Sequence, residues 1–367
     1  MKKLVKVLGL GALLGLGVIG VASCSNNSNG DYKYGELKIS IPTGVIRTSG
    51  DIVALEKGFF KEEGVKVTGV NIQGTNALTA LNNNSADLDL LTLGFVPDVQ
   101  AISNGYNNIR FIGGTAVEGG ALIAKKGNAA KYKDSSTKIN FNEIESAKLT
   151  FAVGEAAWVV TNQYLTENDP TYVSDKKANL NITNLADAQT VAQQVGNGTF
   201  DVGFLPLEYA NLYKDSYGVE LIAAAGDLIP EYVCCRQATS KEKYEAKYDA
   251  FVAYEKARIR AWEFIENESN RDEVVNIVAN YIHKEKDYVS NYLYGGITKW
   301  SVDPNKKGIT TYKNALYNAG VLKQDISNIE SYVELGAYET AIKYLADNNK
   351  SNTFYQAKLQ LFNEYNK

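Results

Sequence analysis

The chain has 367 residues, 45% of them hydrophobic and 22% charged, which are ordinary globular proportions with enough length for two cores. Lys and Arg number 38 against 42 Asp and Glu, a net charge of −4 that excludes a nucleic-acid partner held by a basic surface. Three cysteines and one histidine exclude a disulfide framework and leave little scope for histidine-based catalysis or transition-metal ligation, so no cofactor is expected.

The first six residues carry Lys2, Lys3 and Lys6, and Val7 to Ser23 are uncharged and rich in Leu, Val, Ile, Ala and Gly, the layout of a secretory signal. A membrane span needs roughly 20 apolar residues. This stretch is shorter, and Gly9, Gly11, Gly15, Gly17 and Gly20 weaken it as a helix. Val21-Ala22-Ser23-Cys24 resembles the bacterial lipobox, which implies cleavage before Cys24, lipid on its sulfur, and an anchor at the extracytoplasmic face of the cell membrane. Loss of residues 1–23 removes three lysines and takes the net charge from −4 to −7. Residues 25–30 are polar and unpatterned, so residues 24–35 read as a lipidated tether.

Alternation over Glu36 to Ile41 predicts a strand that stops at Pro42. Asp51 to Phe60 reads as a helix capped by Asp51, with Gly58 and Gly64 bracketing the following turn. A strand over Val65 to Ile72 leads through Gln73-Gly74-Thr75-Asn76 into a helix reaching Leu81. Leu88 to Leu93 forms a strand ending at Gly94, Pro97 to Asn104 a helix, and Ile109 to Gly113 an extended segment. Strands alternating with helices at this spacing predict a largely parallel sheet flanked by helices.

The pattern then restarts. Strands are expected at Lys148 to Val153, Leu180 to Ile182 and Asp201 to Phe204, with helices at Ala157 to Leu165 and Ala186 to Val195. Gly94-Phe95-Val96-Pro97 and Phe204-Leu205-Pro206-Leu207 look like one device used twice, which predicts two similar α/β lobes. From Lys241 onward the chain is mostly helical, with helices over Tyr248 to Glu266, Arg271 to His283, Lys307 to Ala319 and Asn328 to Asp347 expected to pack on the first lobe.

Val53-Ala54-Leu55-Glu56-Lys57-Gly58-Phe59-Phe60-Lys61-Glu62-Glu63-Gly64-Val65 resembles the first-helix signature of solute-binding lipoproteins that serve importers of sulfonates, taurine, nitrate and thiamine-pyrimidine precursors. The resemblance implies an α/β, two-lobed type II periplasmic-binding-protein fold with a helical C-terminal tail. It places residues 36–118 and 228–367 in lobe I and residues 119–227 in lobe II. It also implies that the chain crosses near Gly113 to Leu122 and returns near Ala223 to Pro230, with ligand in the cleft between lobes.

Ligands of open α/β sheets sit beyond the carboxyl ends of strands. The candidate contacts are therefore Thr43, Gly44, Arg47, Gln73, Gly74, Thr75, Gly94 and Phe95 from the first lobe. Gly154, Glu155, Ala157 and Trp158 come from the second, with Glu118 and Tyr232 nearer the hinge. Arg47, one of six arginines, suits a bidentate clamp on an oxyanion as well as it suits a solvated loop. Trp158 fits either a ring-stacking platform or core packing, with packing favoured. Glu118 and Glu155 read by default as solvent-exposed; buried in the cleft, their carboxylates would oppose an anion and favour an amine or a pyrimidine.

Cys234-Cys235 resembles a cysteine-rich stretch of eukaryotic thiamine-pyrimidine synthases, but the lone histidine, His283, falls in a late polar helix, and small buried residues are the simpler reading of the pair. These features together imply a monomeric, non-enzymatic solute-binding component that hands its ligand to a membrane permease driven by an ATPase. A pyrimidine-synthase-like enzyme and a non-transport sensor lipoprotein stand as alternatives.

Overall fold

The computed structural model describes residues 32–152, 155–173, 177, 179–296 and 298–367; the signal, Cys24 with the first part of the tether, and Gly154 lie outside the described residues. The first lobe begins with β1 (Glu36–Ser40), whose Leu37 and Ile39 point into the core, paired in parallel with β2 (Lys66–Val70). Ile39 bridges Leu90 and so joins this pair to a second sheet. That sheet runs in the order β11 (Lys299–Trp300), β4 (Ile109–Val117), β10 (Val233–Ser240), β3 (Leu91–Gly94). The second lobe carries five strands in the order β7 (Ile182–Leu185), β6 (Leu149–Ala152), β8 (Val202–Pro206), β5 (Gly120–Lys125), β9 (Val219–Ala224).

The α/β architecture is the one the alternation implies, but among the described strands parallel ladders join only β1 with β2 and β6 with β7 and β8, beside the isolated parallel bridges Ile39–Leu90 and Phe111–Val333. The strands next to the crossings run against their neighbours: β10 is antiparallel to β3 and β4, and β5 to β8 and β9. A chain that leaves one sheet and re-enters it after building another returns in the opposite direction, which helix-crossover spacing alone does not reveal.

Asp51 does not cap its helix. The helix spans Ser49–Glu56 with Thr48 at the N-cap, and Asp51 is buried in the first turn. There it accepts a 2.5 Å hydrogen bond from Tyr254 Oη and pairs with Arg258 Nε at 3.2 Å. Arg258 also donates to Gln237 Oε1 and to the carbonyl of Gly114. This buried network ties the first helix to the long helix Tyr248–Glu266 and to β4 and β10.

The tail helices Tyr248–Glu266, Arg271–Ile282 and Gly336–Asn348 share a core with β1 and the first helix, as the sequence implies, and a further helix not read from the sequence, Thr353–Asn366, joins them. His283 closes the second of these as a left-handed C-cap residue. The helix Lys306–Asn318 departs from that pattern. Its apolar side joins a core that runs from β3 and β4 into the second lobe, and Asn318 Nδ2 donates to Gln163 Oε1 there.

The chain leaves the first lobe at Glu118–Gly119, both with positive φ, and returns through the short helix Ala225–Leu228 and Glu231. The two passages hold each other: Glu118 N donates to the Tyr232 carbonyl, and Glu231 N donates to Glu118 Oε1. Gly226 has no side chain because the Glu118 carboxylate fills that space; a Cβ there would lie 2.1 Å from Oε2.

Candidate functional site

The ends of four strands and their following turns surround a cleft of about 340 Å³ between the lobes. β1 leads to the loop carrying Gly44 and the short turn Ile46–Thr48, and Thr115 Oγ1 fixes that turn by donating to the Arg47 carbonyl at 2.8 Å. The Arg47 side chain then faces the cleft with one long hydrogen bond among the described residues, Nε to the Thr92 carbonyl at 3.4 Å. β3 delivers Gly94 as the N-cap of the helix Phe95–Ser103, and a glycine cap has no side chain to pair the first helical N–H groups. That uncapped helix start and the guanidinium face the same space, and both favour negative charge.

Behind them lies Asp98, fully buried, with neither carboxylate oxygen partnered among the described residues. Burial first, and then Cys235, push its carboxyl well above the ordinary range, although Arg47 pulls the other way. A protonated Asp98 leaves the charge of Arg47 uncancelled.

The second lobe supplies the opposite wall. Glu155 caps the helix Ala156–Asn168 through a 2.8 Å bond from Ala157 N to its Oε1, and Glu208 and Tyr209 open the helix Leu207–Tyr213 after β8. Burial raises the Glu155 carboxyl to about 8, with Glu208 adding to the rise, and burial raises Glu208 as well. The proton held by Glu155 near neutral pH reduces the repulsion that this wall would impose on an anion, and the upward shift of Glu208 acts in the same direction.

The third wall comes from the tail. Tyr288 and Tyr292 of the helix Lys286–Tyr294, Trp300 of β11 and Tyr312 of the helix Lys306–Asn318 all line the cleft. The Tyr292 and Trp300 rings lie 5.7 Å apart, and Tyr312 packs 5.5 Å from Tyr232 and 5.7 Å from Phe95. Tyr292 Oη also reaches across to Glu208 at 3.5 Å.

Of the candidate contacts read from the sequence, Gly44, Arg47, Gly94, Phe95, Glu118, Glu155 and Tyr232 line this cleft. Glu118 is engaged by Lys299 Nζ at 2.9 Å, so it acts at the hinge as half of an ion pair. Tyr232 Oη accepts from Gly120 N at 2.7 Å. The remaining candidates are placed elsewhere. Thr43 is exposed outside the cleft, and Gln73, Gly74 and Thr75, which follow β2, the outermost strand, are not among the residues that line it. Ala157 is buried against Gly120, and Trp158 packs edge-on to Phe204 at 5.3 Å inside the second lobe, so the core reading of this tryptophan is the observed one. Gly154 lies outside the described residues.

Sequence reasoning missed the aromatic wall and the lining role of Glu208, Tyr209, Cys234 and Cys235. The repeated strand-end device could have found Glu208, which lies two residues after Pro206. The tail aromatics gave no such signal, because aromatic residues on helices usually denote core.

A cleft between two α/β lobes, walled by strand ends and closed over by a helical tail, defines a two-lobed protein of the type II periplasmic-binding-protein fold. Among the described residues no helix is long and apolar enough to cross a membrane. The chain belongs to the NMT1-like family, whose model matches residues 43–279. No curated protein matches its sequence.

Solved structures share the fold. A putative periplasmic sulfonate-binding protein of an ABC transporter from Methylobacillus flagellatus superposes with a TM-score of 0.65 at 14% identity, over 86% of this chain and 95% of that one. The periplasmic aliphatic sulphonate-binding protein SsuA of Escherichia coli gives 0.61 at 14% identity, over 79% and 94%. The periplasmic nitrate-binding protein NrtA of Synechocystis gives 0.60 at 13% identity, over 84% and 89%.

Proposed function

We propose that this protein is the extracytoplasmic solute-binding component of an ABC importer. In this reading it captures a small polar or anionic solute, such as a sulfonate, taurine, nitrate or a thiamine pyrimidine precursor, and delivers it to a membrane permease without covalent chemistry. The observation that carries the reading is the convergence of the Arg47 guanidinium and the uncapped helix start at Gly94–Phe95 on one interlobe cleft, opposite a Glu155 carboxyl raised by burial to about 8. Residues 36–118 with 228–367 form one moving body and 119–227 the other, and the protein works as a monomer. Lipid on Cys24 tethers it beside its permease and raises its effective concentration there. Only solute contacts made by both lobes favour the closed state.

The test is a panel of sulfonates, taurine, nitrate and pyrimidine precursors followed by thermal unfolding, with native mass spectrometry of the protein as purified. A solute present at about 100 times its Kd stabilises the folded state by roughly 2.7 kcal/mol. One class should therefore raise the unfolding midpoint clearly. A protein that shows no shift with any of them and carries no small molecule would overturn the reading.

A further inference from the structure

In a regular strand adjacent side chains point to opposite faces, so Cys234 and Cys235 of β10 should lie on opposite sides of the sheet. They do not. The register against β4 jumps from Val233 opposite Val117 to Cys235 opposite Ala116, leaving Cys234 as the extra residue of a β-bulge. The bulge turns both side chains to one side, with the two sulfur atoms 3.5 Å apart, and both line the interlobe cleft. Both are free thiols.

We propose that Cys234 and Cys235 form a dithiol chelate at the floor of the cleft for a trivalent, thiophilic centre that brings its own organic group, an organic arsenical(III) being the chemical class. This goes beyond solute capture and does not depend on which solute is bound.

Geometry selects this class over the alternatives. A direct disulfide is disfavoured, because the Cα atoms of consecutive residues are held at ~3.8 Å, short of the ~4.4–6.8 Å that a relaxed disulfide spans. A linear two-coordinate ion would need its sulfurs about two metal–thiolate bonds apart, or ~4.6 Å from bonds of ~2.3 Å, and the pair stands at 3.5 Å. A tetrahedral metal needs further protein donors, and among the described residues no group of three or more His, Cys, Asp or Glu could hold one. A pyramidal centre needs only two sulfurs on adjacent edges. Its third substituent would project into the 340 Å³ cleft toward Tyr232, Tyr292, Trp300 and Tyr312.

The chemistry is a condensation with no change of oxidation state. Each thiol attacks arsenic, two As–O bonds break and two As–S bonds form, and the two thiol protons leave with the oxygens as water. The pair is primed for it. The hydrogen bond from Cys234, together with the nearby Arg47 and Arg236 guanidiniums, lowers the Cys235 thiol, which provides a nucleophile near neutral pH.

The test uses the full chain, reduced and free of oxygen, with phenylarsine oxide as the probe. Intact-mass analysis should show one phenylarsenic group per protein. The adduct should survive an excess of a monothiol and be stripped by a dithiol such as 2,3-dimercaptopropanol. Cys234→Ser and Cys235→Ser should each bind the probe on the order of 10²-fold more weakly or worse, since the second bond is formed intramolecularly. Circular dichroism establishes that each variant is folded, and the monothiol challenge on the unmodified chain decides the matter even where a variant is not. Absence of an adduct, an adduct removed by monothiol, or equal affinity in a folded single-serine variant would each overturn the proposal.

Discussion

Arg47→Ala is the perturbation that bears most directly on how an oxyanion would be held. A charge-assisted hydrogen bond contributes ~1.5–3 kcal/mol, and a guanidinium can give two to one oxyanion. Full loss would cost ~3–6 kcal/mol, but water entering the vacated space replaces part of it. The expected loss is therefore ~2–4 kcal/mol, or ~30- to 1,000-fold in Kd. The fold should tolerate the change, because among the described residues the side chain's one hydrogen bond is the 3.4 Å contact with Thr92, while the bond that fixes the turn goes to the Arg47 backbone. Removing so long a contact costs at most ~1 kcal/mol, or ~2–4 °C in Tm. Titration calorimetry with the solute found in the panel measures the affinity, and Arg47→Lys, which keeps the charge and loses the fork, should fall between the two. A folded Arg47→Ala protein with unchanged Kd would remove this residue from the site and refute the electrostatic argument built on it.

Glu155→Gln keeps an oxygen to accept from Ala157 N and removes an ionisable group raised to about 8 by burial. In the wild type, the stability tied to the protonated carboxyl is complete below its unfolded value near 4.5 and is lost as the pH climbs through about 8, because the folded state holds the proton that the unfolded state has released. Urea unfolding at pH 5 and pH 9 should therefore show a smaller loss of stability in the variant, and equal losses would refute the assignment. Trp158→Ala should cost ~3–5 kcal/mol as a core truncation and leave solute affinity unchanged below its lowered unfolding midpoint. Weakened binding there would return Trp158 to the cleft. Gly226→Ala places a Cβ where the Glu118 carboxylate lies and should break its links to Glu231 N and Lys299, at ~1–3 kcal/mol. Small-angle scattering should show an altered spread of lobe orientations, and an unchanged curve with unchanged stability would mean that this clasp does not hold the hinge.

The lobes were legible because their signals are local. β1 alternates, Gly58 and Gly64 take the positive φ that a tight turn needs, and Gly94 ends one strand as Pro206 ends another. The same locality explains the errors. Gln73 to Thr75 look like any other strand end, and only sheet order shows that β2 is outermost, one strand further from the cleft-lining ends of β1 and β3. Asp51 occupies a capping position in the sequence, yet its partner Arg258 lies more than two hundred residues away and draws it into the core. Cys234 and Cys235 stood out by composition, but their shared orientation comes from a register jump against β4 that no pattern within β10 encodes.

The tail changes how closure has to be understood. In a protein made of two lobes and a hinge alone, solute would be the only body touching both walls. Here the helix Lys306–Asn318 already bonds to the second lobe through Asn318, Tyr292 reaches Glu208 across the cleft, and Lys299 of β11 holds Glu118 at the crossing. Contacts of this kind favour approach of the lobes before any solute arrives, so a bound anion has less of the closing free energy to supply. Burial of Glu208 at the cleft ties closure to protonation, although the Tyr292 hydroxyl pulls its carboxyl the other way. Glu208, raised by burial beside Tyr292, ionises more readily once the lobes part and water reaches it. Rising pH should therefore favour the open cleft, and Tyr292→Phe, which removes the hydroxyl facing Glu208, should shift the empty protein the same way at neutral pH.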